Sequence, residues 1–109
     1  MSKVQIDSEL ALLVAKLSEL RIATPINNRN YKKITKQYRE ASERQTAAID
    51  KAIDDSDQNY LEFSKEIKTA IESLNAALES IKKVANAIEQ VAKVLDILGK
   101  IFAAVATVA

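Results

Sequence analysis

Apolar residues in the second half of the chain recur at alternating steps of four and three, which is the spacing of one face of an α-helix. The pattern starts at Ile67 and ends at Ala106, and it contains a single glycine, Gly99, and no proline. It therefore predicts one continuous helix over residues 57–109. The apolar seam of this helix comprises Ile67, Ile71, Leu74, Leu78, Ile81, Ala85, Ile88, Ala92, Leu95, Gly99, Phe102 and Ala106.

The last part of this helix is apolar around most of its circumference. One seam position turns small at every seventh residue, at Ala85, Ala92, Gly99 and Ala106. A small residue allows another backbone to approach closely, because no side chain holds it away. A helix that is apolar on most sides is normally buried on most sides. Residues 91–109 therefore predict at least two neighbours, which the same chain, another subunit or lipid could supply.

Two shorter helices precede the long one. Leucines spaced by three and four predict the first over residues 8–23, with Asp7 or Ser8 as its cap. Pro25 and three nearby asparagines favour a break at residues 24–30. A second helix, with a thinner apolar face, is predicted over residues 30–54.

Acidic and short polar residues cluster between the second and third helices. Asp55 and Gln58 have the spacing of a capping box, which favours a turn at residues 54–58. The apolar spacing also fits an uninterrupted helix, so that alternative stays open. With the turn, the chain is all-α and forms one domain, 1–109.

The turn would make the fold a long antiparallel helical hairpin, or a three-helix coiled-coil-like bundle. In the hairpin the returning arm is ~80 Å long. The first helix lies beside residues 85–108 in this arrangement, and the second lies beside residues 57–82.

Two helices cannot bury the apolar end of such a hairpin, so we expect association into a dimer or higher assembly. Another protein is a further partner that this surface could bind. The residues expected at the interface between copies are Leu10, Leu13, Leu17, Ile88, Val91, Ala92, Leu95, Leu98, Phe102 and Val105.

Composition narrows the chemistry. The 109 residues include no histidine and no cysteine, which removes the usual general base, the thiol nucleophile and the common zinc ligands. The acidic residues have no recognised metal-binding spacing, and no phosphate-binding loop is present. We therefore expect no enzymatic activity, no cofactor and no bound metal.

The charge pattern argues against nucleic acid as the partner. The formal net charge is +1, although cations line one face of the second helix between residues 29 and 44. Tyr31 and Tyr38 fall on the opposite, apolar face and are not placed to stack on bases. No signal peptide or uninterrupted apolar stretch of about 18–20 residues is visible, so the expected location is the cytoplasm.

The sequence thus predicts a non-enzymatic, self-associating helical scaffold. The alternative is a membrane-active, pore-forming-type component that uses its apolar C-terminal helix.

Overall fold

The structure, a computed structural model, describes residues 3–49, 51 and 53–108, with side chains at 4–49, 51 and 53–103. It confirms the all-helical prediction, with two very short strands added. In chain order the elements are β1 (Lys3–Val4), α1 (Asp7–Ala23), α2 (Tyr31–Ala48), β2 (Ile53–Asp54), α3 (Gln58–Glu79), a 3-10 turn (Ile81–Lys83) and α4 (Val84–Val108).

The prediction of one continuous helix over residues 57–109 is wrong, because the helix is interrupted at Ser80. This residue is extended (φ −146°, ψ 117°). Its N–H donates to the Ala76 carbonyl, which ends α3, and its carbonyl accepts from Lys83 N–H, which starts the 3-10 turn. The break lets α4 fold back on α3. The apolar face of α4 is then buried within the same chain, and this packing outweighs the spacing that favours one continuous helix.

The predicted second helix is also too long, since α2 ends at Ala48 rather than at residue 54. The chain then forms β2, in which Ile53 pairs with Val4 of β1. The predicted turn at residues 54–58 is confirmed, but its cap is Asp57 and not Asp55. The Asp57 carboxylate accepts hydrogen bonds from the backbone N–H groups of Asn59 and Tyr60, which satisfies free donors at the start of α3.

The first helix closely matches its prediction, with one change at its start. The capping position is Ile6, which offers no side-chain cap, instead of Asp7 or Ser8. At the other end the Thr24 hydroxyl donates to the Leu20 carbonyl at 2.7 Å. Thr24 is only 3% exposed, so this bond is part of the packed end of the helix.

The helices pack as two pairs, α1 with α2 and α3 with α4. The pairs are joined by contacts of α1 with α3 and, less extensively, of α2 with α4. The predicted neighbours are therefore wrong: the first helix lies against α3, and the second lies beside α4. The molecule measures 45 × 20 × 18 Å, which is too short for the predicted hairpin arm.

A single core runs between the two pairs. Its fully buried large side chains include Leu10, Leu13, Leu17 and Leu20 of α1, Ile34 of α2, Phe63 and Leu74 of α3, and Val84, Val91, Leu98 and Ile101 of α4. The apolar circumference of α4 is thus covered in large part by its own chain. Burial of such side chains, at about 1.5–3 kcal/mol each, dominates the stability of the fold.

Candidate interaction groove between α2 and α4

The structure separates the ten residues expected at an interface into three groups. Seven are in the core: Leu10, Leu13, Leu17, Val91 and Leu98 are 0% exposed, and Leu95 and Phe102 are 7% exposed. A buried side chain cannot contact a second copy while the bundle stays closed, so these seven pack within one chain. Ile88 is half-buried and Ala92 is exposed. The side chain of Val105 lies outside the described residues.

Ile88 and Ala92 lie on the floor of an open groove, which we call the α2–α4 groove. The floor is formed by α4 and also includes Leu95 and Gly99, and the walls come mainly from α2. Ala85, Ala92 and Gly99 of the row of small residues are therefore on the accessible side of α4, and the side chain of Ala106 lies outside the described residues. The wall residues are Lys33, Lys36, Gln37, Glu40 and Arg44 of α2 and Asp96 of α4.

Gly99 and Arg44 shape one end of the groove. A Cβ atom at position 99 would lie 3.9 Å from a terminal nitrogen of Arg44, which is ordinary van der Waals contact. The Arg44 guanidinium also lies over the Phe102 ring, 5.6 Å from its centroid. This cation–π contact positions the long Arg44 side chain across the floor of the groove.

Gln37 bridges the two helices at the other end. Its side-chain amide nitrogen donates to the Ile88 carbonyl at 2.9 Å, and the residue is only 9% exposed. The amide oxygen is buried and has no hydrogen-bond partner among the described residues. A buried acceptor without a donor typically costs about 1–3 kcal/mol of stability. The Gln37 amide oxygen is such an unsatisfied acceptor, and it lies beside the groove.

The walls of the groove carry charges of both signs. Lys33, Lys36 and Arg44 face it together with Glu40 and Asp96. Asp96 also lies 4.0 Å from Lys100 of its own helix, an exposed pair that contributes little to stability. Apolar floor and mixed-charge walls suit a helical protein segment better than a single small anion.

Part of this groove could be found from the sequence, and part could not. The small-residue row on α4 was visible as a seven-residue period. The α2 wall could not be predicted, because the sequence shows cations along one face of α2 and only the packing of α2 beside α4 shows which of them face the groove. Tyr38, as the sequence predicted, packs against the core, where the Arg21 guanidinium lies 4.9 Å from its ring centroid.

Gly99→Ala is expected to raise the free energy of unfolding by about 0.5–1 kcal/mol, because a glycine inside a helix is less favourable than alanine. No backbone strain opposes the change, since Gly99 does not have a positive φ angle. Chemical denaturation at low protein concentration measures the effect. The matched control is Ala92→Gly, at another surface position of α4, which should lower the stability by a similar amount. A destabilised Gly99→Ala protein would show that the groove is tighter than described.

No protein-family model, curated protein or solved structure matches this chain.

Across the described residues, no helix is both long enough and apolar enough to cross a membrane. Within the same part of the chain, no group of three or more acidic, histidine or cysteine residues is placed to hold a metal ion.

Proposed function

We propose that this protein is a non-enzymatic helical scaffold that self-associates by packing the α2–α4 groove of one copy against that of another. The observation that supports this most directly is the position of Ala92 and Gly99 on the floor of an open groove. Small residues at a surface that no other element covers allow two helices to approach closely. Association through α4, which the sequence predicts, would then use only the accessible side of that helix.

Charge favours a second copy as the occupant. In a two-fold arrangement the same surface is used on both subunits. Glu40 and Asp96 of one copy can then lie opposite Lys33, Lys36 and Arg44 of the other, so the mixed signs of the walls become complementary. Helices α2 and α4 of the two copies would together form an intersubunit four-helix layer.

The alternative function, membrane activity through the C-terminal helix, requires a larger change. Val91, Leu98 and Ile101 of α4 are at most 2% exposed. They could reach lipid only after α4 leaves the bundle, at the cost of the core contacts that it makes with α3. Association through the groove needs no such opening.

The test is the mass of the protein in solution as a function of its concentration, measured by sedimentation and light scattering. The wild type is expected to form a dimer reversibly. Ala92→Arg places a long charged side chain on the floor of the groove and should raise the dissociation constant at least about tenfold. Ala11→Arg, at an exposed position of α1, is the control and should leave it unchanged.

A wild-type protein that stays monomeric at all concentrations would refute self-association. Equal weakening by Ala92→Arg and Ala11→Arg would show that the copies associate through another surface.

A further inference from the structure

The two connections α1–α2 and α3–α4 lie at the same end of the molecule. Asn30 and Lys33 at the start of α2 line one surface depression together with Ala85, Asn86 and Glu89 at the start of α4. The starts of these two helices are therefore neighbours. We call this end, formed by residues 21–33 and 80–86, the basic tip.

Three isoleucines project from the basic tip into solvent. Ile26, directly after Pro25, is 81% exposed, and Ile22 in the last turn of α1 is 78% exposed. Ile81 in the 3-10 turn is 47% exposed. A single exposed aliphatic residue is ordinary, but here three are gathered at one end of a molecule with a cross-section of 20 × 18 Å.

The same end is strongly positive. Residues 21–33 contain four cationic side chains and no acidic one, and residues 80–86 contain two lysines and no acidic residue. Arg21 is half-buried over Tyr38, whereas Arg29, Lys32, Lys33, Lys82 and Lys83 are exposed. Acidic side chains border the tip at Glu79 and at Glu89, which lines the same depression as Lys33, and Glu19 pairs with Lys16 at 3.6 Å. They are fewer than the five exposed cations.

The opposite end carries an excess of acidic residues, although Lys3 and Lys51 also lie there. Asp57 and Glu62 lie at the start of α3, and Asp7 and Glu9 lie at the start of α1. The Gln5 side chain donates a hydrogen bond to the Ile49 carbonyl, so the start of α1 and the end of α2 are neighbours at this end. The net charge of +1 therefore conceals a separation of charge along the 45 Å axis.

We infer that the basic tip docks on the surface of an anionic lipid bilayer, with Ile22, Ile26 and Ile81 entering the headgroup region and the surrounding cations contacting acidic headgroups. Apolar side chains together with lysine and arginine bind such a surface. The apolar side chains are buried among the lipids, and the cations are attracted to the anionic headgroups. The tip adjoins the α2–α4 groove and shares Lys33 with it, but its isoleucines and Lys82 and Lys83 lie outside the groove, so the inference goes beyond self-association.

Two other occupants fit the tip less well. A nucleic acid would be bound by the cations, and half-buried Tyr31 lies beside Lys32 and Lys36, but it gains nothing from three exposed isoleucines. A second copy, docked by its acidic end, could use at most the 20 × 18 Å cross-section, which is far below the roughly 800 Å² per partner of a standard interface.

The experiment is flotation of the full chain with vesicles of phosphatidylcholine alone and with about 30% phosphatidylglycerol. Binding is expected only to the anionic vesicles, and added salt should weaken it. The Ile22→Ser/Ile26→Ser double variant, and separately Lys82→Glu/Lys83→Glu, should each lower the partition coefficient about tenfold. Ile49→Ser/Leu61→Ser removes aliphatic residues that are 54% and 50% exposed at the other end and should leave the binding unchanged.

Absence of wild-type flotation with anionic vesicles would overturn the inference, as would equal loss in the tip and control variants. Binding of duplex DNA or RNA that survives Ile22→Ser/Ile26→Ser while lipid binding is absent would assign the cations to nucleic acid instead. Entrapped dye should be retained, since release would indicate insertion of α4 rather than docking of the tip. Solution mass without lipid tests self-association separately, so failure of either proposal is distinguishable from failure of the other.

Discussion

Leu13→Ala is expected to lower the free energy of unfolding by about 2–5 kcal/mol, because it removes a large side chain from a packed core and leaves a cavity. Leu13 is 0% exposed in the middle of α1. The sequence alone placed this residue at an interface between copies, where its loss would weaken association instead. The loss of stability should therefore be the same at every protein concentration, as measured by denaturant titration of dilute and concentrated samples.

Leu12 provides the control for this change at the adjacent position. It is 49% exposed, so Leu12→Ala deletes the same atoms from a largely solvated site and should cost under about 1 kcal/mol. If the loss of unfolding free energy in Leu13→Ala disappears at high protein concentration, Leu13 lies at an interface between copies and not in the core. Equal costs for the two substitutions would contradict the burial of Leu13.

Ile81→Pro is expected to leave the protein folded, with its free energy of unfolding within about 1 kcal/mol of the wild type. Ile81 is the first residue of the 3-10 turn, and Ser80 before it is already extended, as the residue before a proline prefers. Proline is favoured at the first position of a helical turn. In the continuous helix that the sequence predicts, the same substitution would cost about 3 kcal/mol or more.

Circular dichroism and thermal unfolding distinguish these two arrangements directly. Glu72→Pro, at an exposed position inside α3, is the control that should lose stability by about 3 kcal/mol or more. A comparable loss in Ile81→Pro would show that residues 58–108 form one straight helix. Because Ile81 is also part of the basic tip, lipid binding should be measured on the other tip variants.

The break at Ser80 shows where the pattern of the sequence stops being informative. Residues 79–83 contain neither glycine nor proline, and the steps of four and three continue across them. What ends α3 is the gain from folding α4 back against it, which depends on contacts between distant residues. By contrast, Pro25 interrupts the backbone bonding itself, so the break between α1 and α2 could be predicted locally.

For the candidate groove, the contribution of α4 could be predicted from the sequence, and the contribution of α2 could not. The period of Ala85, Ala92 and Gly99 depends only on the chain of α4, and it indicated a row of small residues where another backbone could approach. The place of Arg44 and Gln37 depends on which helix lies beside α4. The sequence placed the first helix there, because a turn at residues 54–58 in a two-armed hairpin aligns it with residues 85–108, whereas the structure packs α1 against α2 and α3.

The pairing of each helix with its neighbour in the chain has a consequence for how quickly the protein forms. The connections within the two pairs are short, so the most extensive contacts between helices join consecutive elements of the chain. Proteins dominated by such local contacts search little conformational space before their transition state and typically fold in microseconds to milliseconds. Closure of β1 on β2 spans about half the chain, as do the contacts of α1 with α3, so joining the two hairpins closes longer loops than forming either one.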